Sequence, residues 1–109
     1  MSVALSDLEL LQTALAWREH GRGVAIATVA QTFGSAPRRV GSRLIVDEDG
    51  FFLGSVSGGC VEGEVVMQAL ETIETGAARL LEFGIEDERA WRVGLPCGGV
   101  VKIYIERLD

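Results

Sequence analysis

Cysteine and histidine are scarce in this 109-residue chain, which holds two of the former, Cys60 and Cys97, and one of the latter, His20. A closed structural zinc site takes four such ligands, so the composition argues against one. A single disulfide is the most the two cysteines can form, and a domain with a sound core in a reducing compartment does not need it. Lysine is scarcer still: Lys102 stands alone beside nine arginines. Positive charge is therefore carried by planar guanidinium groups, which favour bidentate contacts to anions. Sixteen acidic against ten basic residues leave a formal charge of −6, which repels a polyanionic duplex and argues against nucleic acid as a partner. No stretch approaches the roughly 18 to 20 apolar residues of a membrane span, and Met1 to Leu11 lacks the basic leader and apolar run of an export signal. A cytoplasmic location is expected.

What is present suits one folded unit over residues 1–109. Hydrophobic residues make up 48% and charged residues 24%, near the globular average and far from the disordered regime, and the length fits one core. Ser6-Asp7-Leu8-Glu9 reads as a capping box. Leu8, Leu11 and Leu15, flanked by Leu10, Ala14 and Trp17, then give a helix with a wide apolar face, stopped by Gly21. His20, at the end of that helix, suits the negative end of the helix dipole better than a catalytic role. The continuous run Gly23 to Thr32 predicts a central strand covered on both faces. Arg43 to Asp47 and Phe51 to Val56, joined through Asp49-Gly50, predict a hairpin. A second helix follows from Val61, with Val66, Ala69, Leu70 and Ile73 on one side and Gly76 as its stop. Ala78 to Phe83 reads as a strand, Ile85 to Arg92 as a polar stretch with a helical turn, and Val100 to Glu106 as a strand with one solvated face. The expected fold is α+β, one mixed β-sheet of about five strands packed with two main helices.

Fourteen glycines exceed the usual share of about 7%, and many gather in three segments: Gly34 to Ser42, Ser57 to Cys60 and Gly94 to Gly99. Such loops bend sharply and let a ligand reach backbone amides. Taken singly each is no more than a tight connection; the embedded cysteines and arginines make the set a candidate site. Cys60 falls at or next to the start of the second helix, where free amides and the helix dipole favour a thiolate, although a free cysteine is as often a small buried apolar group. Glu62, in the first turn, complements the dipole or handles protons, and its charge opposes thiolate formation. Cys97 sits between Pro96 and Gly98-Gly99, and two thiols meeting at one pocket suit a soft-metal cofactor that brings its own ligands. Pro37 stiffens the turn that presents Arg38 and Arg39 beside Ser35, a candidate grip for phosphate or carboxylate.

At these residues the chain resembles the XdhC/CoxI family, the accessory proteins of xanthine dehydrogenase and aerobic carbon monoxide dehydrogenase. The resemblance rests on the GSAPR turn (Gly34 to Arg38) with Gly41 and Val46 downstream, on GSVSGGCVEGEVV (Gly54 to Val66), and on GLPCGGVVKIYIE (Gly94 to Glu106). It implies an amino-terminal module that binds the molybdenum-pterin cofactor, as molybdopterin or a dinucleotide of it, supports its sulfuration and passes it to a molybdenum hydroxylase apoenzyme. Carried over position by position, it puts weight for cofactor binding on Ser35, Pro37, Arg38, Ser57, Gly58, Gly59, Cys60, Cys97, Gly98 and Gly99. Cys60, Cys97 and Glu62 become the candidates for chemistry, the two thiols also for contact with the cofactor's molybdenum. Many members continue into a carboxy-terminal Rossmann-like domain; none is expected within these 109 residues, so docking or sulfuration would call on a separate partner.

Three roles follow from this reading. The first is a cofactor chaperone, in which the thiols approach the metal or its sulfur ligands while Arg38 and loop amides grip the phosphate. The second is a sulfur-transfer enzyme that carries a persulfide on Cys60, received from a cysteine desulfurase; no general base is evident for it. The third is a structural module within a homo-oligomer or larger assembly.

Overall fold

The computed structural model describes residues 6–33, 39–56, 61–84 and 100–109. Helix α1 (Asp7–Glu19) starts with the expected capping box: the Glu9 amide donates to Ser6 Oγ at 3.2 Å and the Ser6 amide to Glu9 Oε1 at 3.0 Å. The Ser6 amide, and after it the Ser6 hydroxyl, hold the Glu9 carboxyl below its ordinary range. The helix ends at His20, whose ring Nδ1 lies 2.7 Å from the Ala16 carbonyl, and Gly21 at φ +80° turns the chain away. The face that packs differs from the expected one. Leu10 and Ala14 are buried and Leu11 and Trp17 flank them, whereas Leu8 and Leu15 stand 65% and 51% exposed. Apolar residues cover about half of this helix, and the sheet selects the stripe that fits over β1 and β2.

Five strands follow: β1 (Val24–Phe33), β2 (Arg43–Asp47), β3 (Phe52–Gly54), β4 (Arg79–Gly84) and β5 (Val100–Arg107), with α2 (Glu62–Thr75) between β3 and β4. Their order across the sheet is β3-β2-β1-β5-β4. The class, α+β with five strands and two helices, is as expected, but the sheet is antiparallel at every pairing rather than mixed. The reason is the crossover. The strands that α2 joins, β3 and β4, run the same way yet lie at opposite edges, so no parallel neighbours arise.

Central β1 is covered on both faces from Val24 to Val29, as its apolar run requires, whereas Ala30 to Phe33, beyond the edge of β2, are exposed or half-buried. Ala25, Ala27 and Val29 face α2 in the main core with Leu44, Val46, Phe83, Val101, Ile103 and Ile105, while Val24 and Ile26 join Leu10, Ala14 and Ile45 beneath α1. The β2–β3 turn is organised by buried Asp47, whose Oδ1 accepts from the amides of Asp49 (2.9 Å) and Phe51 (3.0 Å). Arg22 bridges Asp49 and Asp47, and these hydrogen bonds, Asp49 first, raise the guanidinium above its ordinary value. Strand β3 ends at Gly54, two residues short of Val56, because Gly54 takes φ +92° and the Ser55 amide turns back to the Arg43 carbonyl at 3.1 Å.

Helix α2 begins at an N-cap, Val61, that provides no side-chain hydrogen bond, and stops at Gly76 in the left-handed region (φ +78°) as expected. Gly63 lies in its first turn with no atom within 4 Å of a built Cβ and ordinary helical backbone. Gly63→Ala is therefore expected to stabilise the domain by about 0.5 kcal/mol through reduced chain entropy in the unfolded state. A urea midpoint equal to or below the parent's would contradict this. The polar stretch Ile85 to Arg92 lies outside the described residues.

Candidate functional site

Two of the glycine-rich segments adjoin one end of the sheet, and the third follows a strand that runs toward it. Phe33, the last residue of β1, pairs with Val100, the first of β5, and Val100 pairs on its other side with Gly84, the last of β4. These three residues lie abreast, so the segments after Phe33 and after Gly84 depart side by side. Strand β3 runs in the same direction as β1 but ends short of that end, with Gly54 opposite Leu44 and Leu44 opposite Ala27, in the first half of β1. Helix α2 runs away from that end, since its last turn lies at the far one: a Cβ on Gly23 would meet Ile73, and one on Gly76 would meet the Arg107 guanidinium. The positive end of the α2 dipole thus points toward the end where Phe33, Val100 and Gly84 lie.

The arginine segment is framed by a local irregularity. The β1–β5 register shifts between Val29 and Gln31, and at that bulge β1 parts from β2 and continues along β5 alone. The Val29 amide donates to Ser42 (2.9 Å), Gly41 donates to the Val29 carbonyl (2.8 Å), and Ser42 donates to Arg39 (3.1 Å), a tight return into β2. Gly41 takes φ +92°, and Arg39 is exposed just before it. Ser35, Pro37 and Arg38 lie outside the described residues, as do Ser57, Gly58, Gly59, Cys60, Cys97, Gly98 and Gly99. In the chain Cys60 immediately precedes Val61, the N-cap of α2.

Of the site residues to which the resemblance gives weight, Glu62 is the one the structure describes. It is the first residue of α2 and is buried at 8% exposure. Its Oε2 accepts from the Ser55 hydroxyl at 2.9 Å and from the Val56 amide at 3.0 Å. The two donors are functional neighbours that sequence reasoning missed; a serine on one side of the glycine segment and a glutamate on the other was the available sign. Val56 and Val61, which bracket the segment, are both fully packed into the main core. Among the described residues, no three His, Cys, Asp or Glu side chains group as a metal site and no helix is long and apolar enough to cross a membrane.

Comparison with known proteins places this frame. The model of the XdhC and CoxI family matches residues 17–84, well over half of the chain, and the chain belongs to that family. It is 36% identical over 88 residues to the molybdenum cofactor insertion chaperone PaoD of Escherichia coli, a match covering 81% of this chain and 27% of PaoD. It is 31% identical over 85 residues to a probable xanthine dehydrogenase subunit of Bacillus subtilis, covering 76% and 26% of the two chains. Among solved structures, one described as a xanthine dehydrogenase from Bacillus halodurans superposes with a TM-score of 0.81 at 29% identity, over 96% of this chain and 31% of that one. The chain thus spans about a quarter of the length of these curated relatives.

Proposed function

We propose that the chain serves in the maturation of a molybdenum hydroxylase, holding the molybdenum-pterin cofactor and releasing it to the apoenzyme. The observation that carries this reading is that the segments bearing Arg38 and Cys97 adjoin the sheet side by side, while the segment bearing Cys60 follows a strand that runs toward the same end and leads into the α2 N-terminus. The donor set fits the group. Thiols are soft donors suited to a molybdenum–sulfur centre, and an arginine with glycine-rich amides suits a phosphate. When bound, the cofactor supplies the metal and sulfur chemistry; the chain's own residues grip it and shelter it from water. The names of the relatives, an insertion chaperone and a xanthine dehydrogenase subunit, support the same reading.

The test is transfer. Cys60→Ala and Cys97→Ala proteins, loaded with molybdopterin and mixed with an apo-hydroxylase, are expected to activate it at least about tenfold less well than the parent, the equivalent of about 1.4 kcal/mol of lost grip. Equal activation by all three proteins would remove the thiols from the function. The same assay with a molybdopterin dinucleotide reports which form is held. Incubation with a cysteine desulfurase followed by mass spectrometry reports whether either thiol accepts sulfur, the mark of a part in sulfuration.

A further inference from the structure

Glu62 follows the Ser57–Cys60 segment in the chain, yet its carboxylate reaches back across the segment to Ser55 and Val56, which precede it. A glutamate at the start of a helix ordinarily sits in solvent and complements the dipole. Here the group is buried, and one oxygen, Oε2, accepts both a hydroxyl and a backbone amide. With Val56 and Val61 locked into the core, the carboxylate closes a ring through chain and hydrogen bonds that has Cys60 within it. Tying Ser55 and Val56 to the first residue of α2 fixes the two flanks of the segment relative to each other before any ligand arrives.

We propose that Glu62 is a positioning residue: its carboxylate clamps the two ends of the Cys60 segment and thereby sets where the thiol and its neighbouring amides are presented, without itself carrying a proton to or from a ligand. The proposal rests on the reading that this segment contacts the cofactor, but the clamp can be tested in its absence.

The experiment compares Glu62→Gln with Glu62→Ala. Both remove the charge, so a difference between them reports on the hydrogen bonds and packing of the side chain and not on its charge, and Ser55→Ala isolates one hydrogen bond. A glutamine carbonyl oxygen has two lone pairs and can accept from both donors, and alanine can accept from neither. In the unliganded protein, amide exchange at Val56 in Glu62→Gln is expected to stay within about threefold of the parent, and in Glu62→Ala to quicken by at least about tenfold. In a Cys97→Ala background, the rate of Cys60 alkylation by iodoacetamide across pH 6 to 9 is expected to follow one profile in Glu62→Gln and another, displaced by at least about threefold, in Glu62→Ala. Ser55→Ala removes one donor, leaves the carboxylate in place and is expected to fall between the two, which keeps the test readable should Glu62→Ala fail to fold. Equal behaviour of Gln and Ala in both measurements would overturn the clamp. So would a Glu62→Gln protein that keeps Val56 protected but loses molybdopterin loading as fully as Glu62→Ala, since charge would then be what matters. A parent that binds no molybdopterin would end the functional reading, while the Gln–Ala difference would still decide the clamp.

Discussion

Gly54→Ala is expected to lower the stability of the domain by about 3 kcal/mol, from overpacking and backbone strain together. A Cβ at this position would stand 2.4 Å from the Arg43 carbonyl oxygen, 3.1 Å from a Leu10 methyl and 3.2 Å from the Leu44 Cα. The first and last of these are backbone atoms of the neighbouring strand and cannot swing aside, and Leu10 is itself buried beneath α1. The residue also takes φ +92°, outside the range that side chains tolerate. In a domain of this size the change corresponds to a fall in melting temperature of about 12 °C or more. Gly41→Ala separates the two causes: it shares φ +92° but has nothing within 4 Å of its Cβ, so it should bear the conformational cost alone, about 1 kcal/mol. Equal losses in the two variants would show that the contact with Arg43 is relieved cheaply. Because Gly54 leads directly into Ser55 and Val56, its substitution is also expected to disturb the donors to Glu62.

Phe83→Ala is expected to cost about 3 to 5 kcal/mol, a large part of the 5 to 15 kcal/mol typical of a whole domain. Phe83 is among the largest fully buried side chains of the described residues and packs in the core between α2 and the sheet. It lies on the edge strand β4 opposite Val101, so the cavity would open beneath α2 where only β5 flanks the strand. Phe83→Leu keeps most of the apolar volume and should lose much less. The measurement is a urea titration, in which both variants should shift the midpoint at an unchanged slope. A Phe83→Ala midpoint within the error of the parent's would mean that the core collapses around the missing ring.

Much of this architecture was legible in the residue pattern, for identifiable reasons. An unbroken run of small and β-branched residues suits a strand buried on both sides, and β1 is one as far as Val29; Val101, Ile103 and Ile105 alternate with Lys102, Tyr104 and Glu106, and the buried and solvated faces of β5 follow. Ser6 with Glu9 and Gly76 mark helix ends through local chemistry that tertiary structure does not override. The inward side of α1 was not legible, because a helix apolar over half its surface has more than one stripe to bury and the choice belongs to the sheet. Strand direction was hidden for a similar reason: the β3–α2–β4 crossover gives no sign of which strand comes to lie between its ends. Of the candidate site, the sequence showed the segments with their thiols and arginines, while the side-by-side placing of two of them depends on the Phe33–Val100–Gly84 register. The reach of Glu62 to Ser55 and Val56 has no periodicity by which to be noticed.

The place of β5 in the sheet also orders the assembly of the molecule. The centre of the sheet is the pairing of β1 with β5, residues that stand more than half the chain apart, whereas the β2–β3 hairpin is local. Closing so long a loop is slow compared with zipping a hairpin. A nascent chain therefore emerges with the hairpin made and one long flank of β1 still waiting for its neighbour, and the end of the sheet that bears the candidate ligands comes into being only when the final strand slots in.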